Sequence, residues 1–247
     1  SQFDTLKKVM DGREELVHMA VHDLRTPLNL IAGASELLSR SAAASLSERQ
    51  KYHIASIMAN VQRLEDCIGQ ILYLAKSEHG SLVLHPQSVD VVKLLERICS
   101  EFRDRAQQQN IRVELSAPLS EFALHLDEDL VTRSVENLMN NALKYSMEGE
   151  CIHVSMDFVE QPRVVTIRVT DNGPGVPPDF QELLFEKFAR AEDSQRKVAG
   201  TGIGLAFCRM VANAHKGSIE YQRAEPRGST FALRLPSVEA ATAPSGI

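Results

Sequence analysis

The chain has 247 residues, of which 43% are hydrophobic and 24% charged, a mix ordinary for a folded soluble protein and enough for one large or two small cores. A formal net charge of -6 leaves no broad basic face for a nucleic-acid backbone, so nucleic acid is not an expected partner. Cys67, Cys99, Cys151 and Cys208 lie far apart with no C-x-x-C pair, which argues against a zinc cluster or disulfide framework and for reduced cytoplasmic thiols.

No apolar run approaches the roughly 20 residues needed to cross a bilayer, and no signal peptide is visible. With Ser1 in place of Met, the expectation is a fragment of a longer protein, touching a membrane only through missing upstream segments.

Two long helical patterns come first. Val17, Val21, Leu24, Leu28, Ile31, Ser35 and Leu38 alternate spacings of four and three, and so do Ile54, Ile57, Val61, Leu64, Ile68, Ile71 and Ala75. Such a pattern is the seam of a bundle or coiled coil. The polar stretch Ser41–Ser47 separates the two, and Ser47-Glu48-Arg49-Gln50 reads as a capping box opening the second helix. One hairpin cannot close a core around two seams, so a dimeric four-helix bundle is expected; packing against the rest of the same chain is the other solution.

From about residue 85 the pattern changes. Alternating runs at Ile111–Leu115, Cys151–Val159, Arg163–Thr170 and Thr230–Leu235 predict strands. Helical stretches fall near Val89–Gln109, Asp129–Ser146 and Gly202–Ala214. Strands and helices without strict alternation predict an α+β sandwich. The boundaries expected are 1–82 for the hairpin, 83–236 for the sandwich and 237–247 for a flexible tail rich in Ala, Ser, Thr, Pro and Gly.

Four motifs carry chemistry. His22-Asp23-Leu24-Arg25-Thr26-Pro27-Leu28 lies in the first helix, with His22 and Asp23 off the seam and Thr26 one turn on. An exposed imidazole beside a carboxylate can be a nucleophile, because the carboxylate orients the ring and accepts charge. A surface histidine near an aspartate is also common without chemistry. His18 and His22 could clasp a metal, but H-E-x-x-H is absent and no third ligand is near.

Asn137, Asn141, Lys144 and Tyr145 share one face of the next motif's helix, whose buried side is Val131, Val135, Leu138 and Ala142. Carboxamides can ligate Mg²⁺ and a lysine can meet phosphate; a merely solvated face is the other reading, although three asparagines within five positions suit a helix poorly. Asp171-Asn172-Gly173-Pro174-Gly175 follows a strand, where glycines admit a ligand and an aspartate can accept from an exocyclic amine, though the same run also makes an ordinary turn. Gly200-Thr201-Gly202-Ile203-Gly204-Leu205 opens a helix whose freed amides could cradle phosphate, while matching neither the dinucleotide fingerprint nor the P-loop. Between the last two, Leu184-Phe185-Glu186-Lys187-Phe188-Ala189-Arg190 and the polar run to Ala199 have the character of a lid over nucleotide.

Together and in this order, the motifs resemble those of the sensor histidine kinases of two-component signalling, over about residues 10 to 236. The HDLRTPL stretch resembles the phosphoacceptor box, Asn137–Tyr145 the asparagine box, DNGPG and GTGIGL the glycine boxes, LFEKF the phenylalanine box, and Gly228-Ser229-Thr230-Phe231 a last short glycine motif. The resemblance implies a helical hairpin followed by the ATP-binding sandwich shared with gyrase, chaperone and mismatch-repair ATPases. It implies that His22 is phosphorylated from ATP with Asp23 as acid–base partner. It also implies that Asn141, with Asn137 nearby, holds Mg²⁺, that Lys144 and Tyr145 contact nucleotide, and that Asp171 binds the adenine amine. Gly173, Gly175, Gly200, Thr201, Gly202, Gly204 and Leu205 would shape pocket and lid, with Arg190 reaching phosphate.

A homodimer and the receiver domain of a response regulator are the implied partners, in the cytoplasm. Asp23 and Thr26 also match the family's phosphatase pattern, which implies a reverse activity on the regulator. Asp23 stands where many members have Glu and Ile203 where Leu is frequent; both keep the chemistry. A plain ATPase would leave the HDLRTPL box unexplained, and a catalytically silent dimerising module would leave the nucleotide motifs unexplained.

Overall fold

The computed structural model describes residues 21, 24–40, 46–78, 80–189 and 201–238. The chain divides into two compact units, Ser1–Leu82 and Val83–Ile247.

Among the described residues, the first unit holds two helices, α1 (24–40) and α2 (Glu48–Glu78). The capping box forms at the start of α2: the Ser47 backbone N–H donates to Oε1 of Gln50 at 2.9 Å, and the Gln50 N–H donates to Oγ of Ser47 at 3.3 Å. Val21, Leu28, Val61 and Ile68 form the shared core, with Ala32 and Leu72 against it. The heptad pattern therefore splits. Val21, Leu28 and Ser35, seven apart, are buried, while Leu24, Ile31 and Leu38, the other half of the same seam, are exposed at 54%, 46% and 55%. On α2 the same holds for buried Val61 and Ile68 against exposed Ile57 and Leu64. Within one chain only half of the seam is covered.

The second unit is an α+β sandwich. A two-stranded antiparallel sheet pairs β1 (Gln87–Asp90) with β3 (Ala123–Leu126). The main sheet runs β2 (Arg112–Ser116), β4 (Cys151–Glu160), β5 (Arg163–Asp171), β7 (Ser229–Pro236) and β6 (Ser218–Arg223) in spatial order. β2 and β4 are parallel, joined through β3 and α4 (Glu128–Tyr145); the remaining pairs are antiparallel.

Alternation decides which face is covered. Ile152, Val154 and Met156 of β4, Val165, Ile167 and Val169 of β5, and Leu233 and Leu235 of β7 are buried. Against them stand the apolar stripes of α3 (Val91–Gln107), α4 and α5 (Gly204–Ala214), among them Leu95, Leu138, Met139 and Phe207. The other face carries His153, Asp157, Arg168 and Arg234.

Aspartates cap two of these helices. Asp90 accepts from the Val92 N–H at 3.2 Å at the head of α3, and Asp127 from the Leu130 N–H at 3.1 Å at the head of α4. Such caps stabilise a helix by about 1 kcal/mol each. Asp127 is further fixed by His215, whose Nε2 accepts the Asp127 N–H at 3.1 Å while Nδ1 lies 2.9 Å from the Val211 carbonyl. That pair of contacts needs a neutral ring with its proton on Nδ1, and burial accordingly lowers the pKa of His215.

The structure differs from the sequence reading in several places. Val89 and Asp90 belong to β1 rather than to the helix that follows, and β3 and β6 have no counterpart among the predicted strands. Ser237 and Val238 are tied to the sandwich, donating to the Arg163 and His125 carbonyls at 2.9 Å each. No helix among the described residues is long and apolar enough to cross a membrane.

Candidate functional site

Helix α4 supplies the floor. Val131, Val135, Leu138 and Ala142 bury its inner side, which leaves Asn137, Asn141 and Lys144 half-buried and Tyr145 exposed along another. The Lys144 ammonium lies 4.8 Å from the Tyr145 ring centroid, a cation–π contact. The third asparagine, Asn140, has separate work: its Oδ1 accepts from Arg105 of α3 at 2.9 Å.

At the C-terminal end of α4 lies the Asp171–Gly175 turn. A Cβ on Gly173 would stand 2.8 Å from the Tyr145 carbonyl, so the turn packs directly on the end of the helix. Midway along α4 lies the head of α5: a Cβ on Gly204 would meet Oδ1 of Asn137 at 3.1 Å. The asparagine helix thus touches both glycine motifs. The last glycine motif closes the ring, because a Cβ on Gly228 would fall 1.8 Å from the Asp171 carbonyl, an approach only glycine permits.

Asp171 is the buried charge of the site, 3% exposed at the end of β5. Its Oδ1 accepts from the Gly173 N–H at 2.8 Å. Burial pushes its carboxyl up to about 6, against the opposing hydrogen bonds from Gly173 and Ser229, with Glu150 adding a smaller upward push. A buried carboxylate next to a glycine turn is a candidate ligand site.

Unlike α3 and α4, α5 starts without a side-chain cap at Ile203. Its first-turn amides therefore present positive ends suited to an anion. Gly202, at φ +68°, lets the strand of residues before α5 pass the phenylalanine segment: a Cβ there would lie 2.8 Å from the Ala189 carbonyl. The Phe188 N–H donates to the Gly202 carbonyl at 2.9 Å, and Arg209 of α5 grips Glu186 with two nitrogens at 3.1 Å. Thr201 is exposed and Leu205 half-buried beside this junction.

The structure thus brings Asn137, Asn141, Lys144, Tyr145, Asp171, Gly173, Gly175, Thr201, Gly202, Gly204 and Leu205 onto adjoining elements. Arg190 and Gly200 lie outside the described residues, as do His22 and Asp23. Thr26 is exposed on α1, in the other unit. Two further residues support the site. Ser229, buried on β7, bonds Asp171, and the Tyr221 hydroxyl of β6 accepts the Val176 N–H at 3.1 Å, pinning the turn. Ser229 lies within the Gly228–Phe231 motif; Tyr221 has no motif around it.

Two half-buried carboxamides one turn apart, beside an uncapped helix head, fit a hard cation carried in with phosphate groups. A buried carboxylate in the turn packed on the C-terminal end of the same helix fits a base amine. Fold and site together define an ATPase domain. Residues 126–239 match the family described as histidine kinase-, DNA gyrase B- and HSP90-like ATPase, and residues 12–80 match the His Kinase A (phospho-acceptor) domain.

Among curated relatives, the adaptive-response sensory kinase SasA of Synechococcus sp. (strain JA-3-3Ab) is 30% identical over 94% of this chain and 61% of its own length. The sensor histidine kinase WalK of Bacillus subtilis (strain 168) is 28% identical over 94% of this chain and 38% of its own. Among solved structures, full-length ShkA in complex with AMPPNP shares the fold with a TM-score of 0.72 at 24% identity, over 92% of this chain and 46% of that one. The mycobacterial sensor histidine kinase MprB has a TM-score of 0.53 at 27% identity, over 62% of this chain and 98% of its own. The chain thus joins a phospho-acceptor domain to a histidine kinase-like ATPase domain, and is similar over nearly its whole length to sensor histidine kinases. It spans less than two thirds of the length of either curated relative.

Proposed function

We propose that this chain is a kinase core that phosphorylates His22 from Mg-ATP and passes the phosphoryl group to an aspartate of a response-regulator receiver domain. The observation that carries the reading is the meeting of the asparagine helix with both glycine turns around a buried Asp171, in a chain whose residues 12–80 match a phospho-acceptor domain.

Each residue of the site has a task. Asp171 accepts the hydrogen bond of the adenine amine, since a buried, oriented carboxylate discriminates bases that lack that donor. The α5 head and Lys144 hold the phosphates. Asn141, with Asn137, holds Mg²⁺, which when bound offsets charge on the phosphates. A ring nitrogen of His22 attacks the γ-phosphorus in line; the N–P bond forms as the bond to the β,γ-bridging oxygen breaks, and ADP leaves. Asp23 orients the ring and takes up its developing charge. Arg190 and Gly200 extend the lid.

Dimerisation through the hairpin is supported by the exposed half of the heptad seam, Leu24, Ile31 and Leu38 with Ile57 and Leu64. A second hairpin covers that stripe and completes four helices. The partners and the cytoplasmic setting follow from the family rather than from a contact in this chain.

A test of the nucleotide assignment is incorporation of γ-labelled phosphate with Mg²⁺ present and with Mg²⁺ chelated, for the wild type and for Asn141→Ala. The expected result is Mg²⁺-dependent labelling of the wild type and a drop of at least about 100-fold in Asn141→Ala, the scale on which loss of one pre-aligned charge-stabilising group is felt. Labelling that survives both chelation and the substitution contradicts the assignment.

A second reading rests on Thr26, exposed on α1 and four positions after His22 in the sequence. There it can hold the water that hydrolyses the phosphorylated regulator. Thr26→Ala should slow regulator dephosphorylation while leaving labelling of His22 intact; unchanged dephosphorylation sinks this reading.

A further inference from the structure

β2 is the edge strand of the main sheet, and its parallel register with β4 sets Arg112 beside Cys151 and Glu114 beside His153. Alternation puts Cys151 and His153 on one face of β4, while Ile152 and Val154 turn into the core. One ligand atom from each of Glu114, Cys151 and His153 lies within 4.8 Å of the other two, and Nδ1 of His153 stands 3.4 Å from Oε2 of Glu114. None of the three belongs to the nucleotide site.

We propose that Glu114, Cys151 and His153 form a binding site for a thiophilic divalent cation of the zinc type, with water in the fourth position. The donor set carries the choice of ion. Thiolate, imidazole and carboxylate are the ligands zinc takes in tetrahedral sites, and two ligands of one tetrahedral zinc stand roughly 3.5 Å apart. Closing the cluster to that spacing asks for movement of about an ångström, which the exposed ends of Glu114 and His153 can supply around a buried, fixed Cys151. Mg²⁺ and Ca²⁺ prefer all-oxygen shells, so this site does not compete for the ion that accompanies ATP.

The local charges set the conditions for binding. Burial, then the neighbouring Glu114 carboxylate, push the Cys151 thiol up, while Arg112 pulls it the other way. Whatever these shifts, a cysteine binds metal as the thiolate, so binding releases the thiol proton. With the thiolate formed, Glu114 and Cys151 bring two negative charges and Arg112 one positive, so the cation meets net negative charge. The exposure of Glu114 and His153 gives water access to the fourth ligand position.

The test is a titration of the reduced full chain with Co²⁺, whose thiolate charge-transfer absorption reports a cysteine ligand, followed by displacement with Zn²⁺. The expected result is one Co²⁺ per chain with that absorption, lost in Cys151→Ser and unchanged in Cys67→Ser. His153→Ala and Glu114→Gln should each weaken binding at least about tenfold, a loss seen even for outer-shell partners. Both latter side chains are exposed, so these variants keep the fold, and a thermal melt without metal verifies it. No charge-transfer band in the wild type, a band surviving Cys151→Ser, or an affinity unmoved by both His153→Ala and Glu114→Gln overturns the proposal.

Discussion

Asp171 shows how much of the site rests on single side chains. Its carboxyl is buried and pushed up to about 6, first by loss of water, while Gly173 and Ser229 partly compensate through hydrogen bonds. A raised folded-state pKa favours the protonated form in the fold. The associated stability is complete below the usual aspartate value of 3.8 and is lost as pH rises from there through about 6. At neutral pH the ionised carboxyl thus costs the domain on the order of 3 kcal/mol. The proposed function runs the other way, because only the ionised form accepts both from the Gly173 N–H and from an adenine amine.

Asp171→Asn separates the two effects. It should melt at or above the wild-type temperature at pH 8 and yet bind ATP at least about 100-fold more weakly, since the carboxamide can turn a donor towards the base amine. A variant that loses stability at pH 8 and keeps its affinity contradicts this account. In the wild type, ATP affinity should fall about tenfold per pH unit below about 6, as measured by calorimetry. The opposite sign applies to His215, whose lowered pKa gives stability that is present above about 6.5 and lost as pH falls.

At the scale of elements, the heptad split is the informative feature. The alternation of three and four predicts a seam, but only packing shows that Val21, Leu28, Val61 and Ile68 face each other while Leu24, Ile31 and Leu64 face outward. Leu64→Glu should leave the helices formed and turn a dimer into a monomer by light scattering; Val61→Glu should melt the hairpin itself. A Leu64→Glu chain that remains dimeric contradicts the proposed interface.

The same scale explains what was legible beforehand. β4, β5 and β7 are eight to ten residues long and carry clear alternation with one buried face, so they read directly. β1 and β3 are four residues each, too short for a period, and exist because they pair with one another. β6 lies on the sheet edge with no fully buried residue, and so shows no apolar face. Helix α3 starts later than its apolar pattern does, because the Asp90 side chain caps it there. At the site, motif order placed the asparagine helix and both glycine turns. The role of Tyr221 and the pairing of Asn140 with Arg105 depend on contacts between distant segments and had no local signal, whereas Ser229 lay within the last glycine motif but its bond to Asp171 depends on β5 and β7 pairing.

At the scale of the whole molecule, two compact units divide the labour. One matches a phospho-acceptor domain and holds His22; the other matches an ATPase and holds the buried carboxylate, the asparagine helix and the uncapped α5. Neither unit alone accounts for both sets of motifs, and their combination in one chain is what the kinase reading explains. The most direct test is incubation of the chain with Mg²⁺ and γ-labelled ATP beside a His22→Gln variant. The account predicts label that stays on the wild-type protein, survives alkali, is lost in acid and is absent from the variant. ATP bound without label on the wild type, or equal label on His22→Gln, would contradict it.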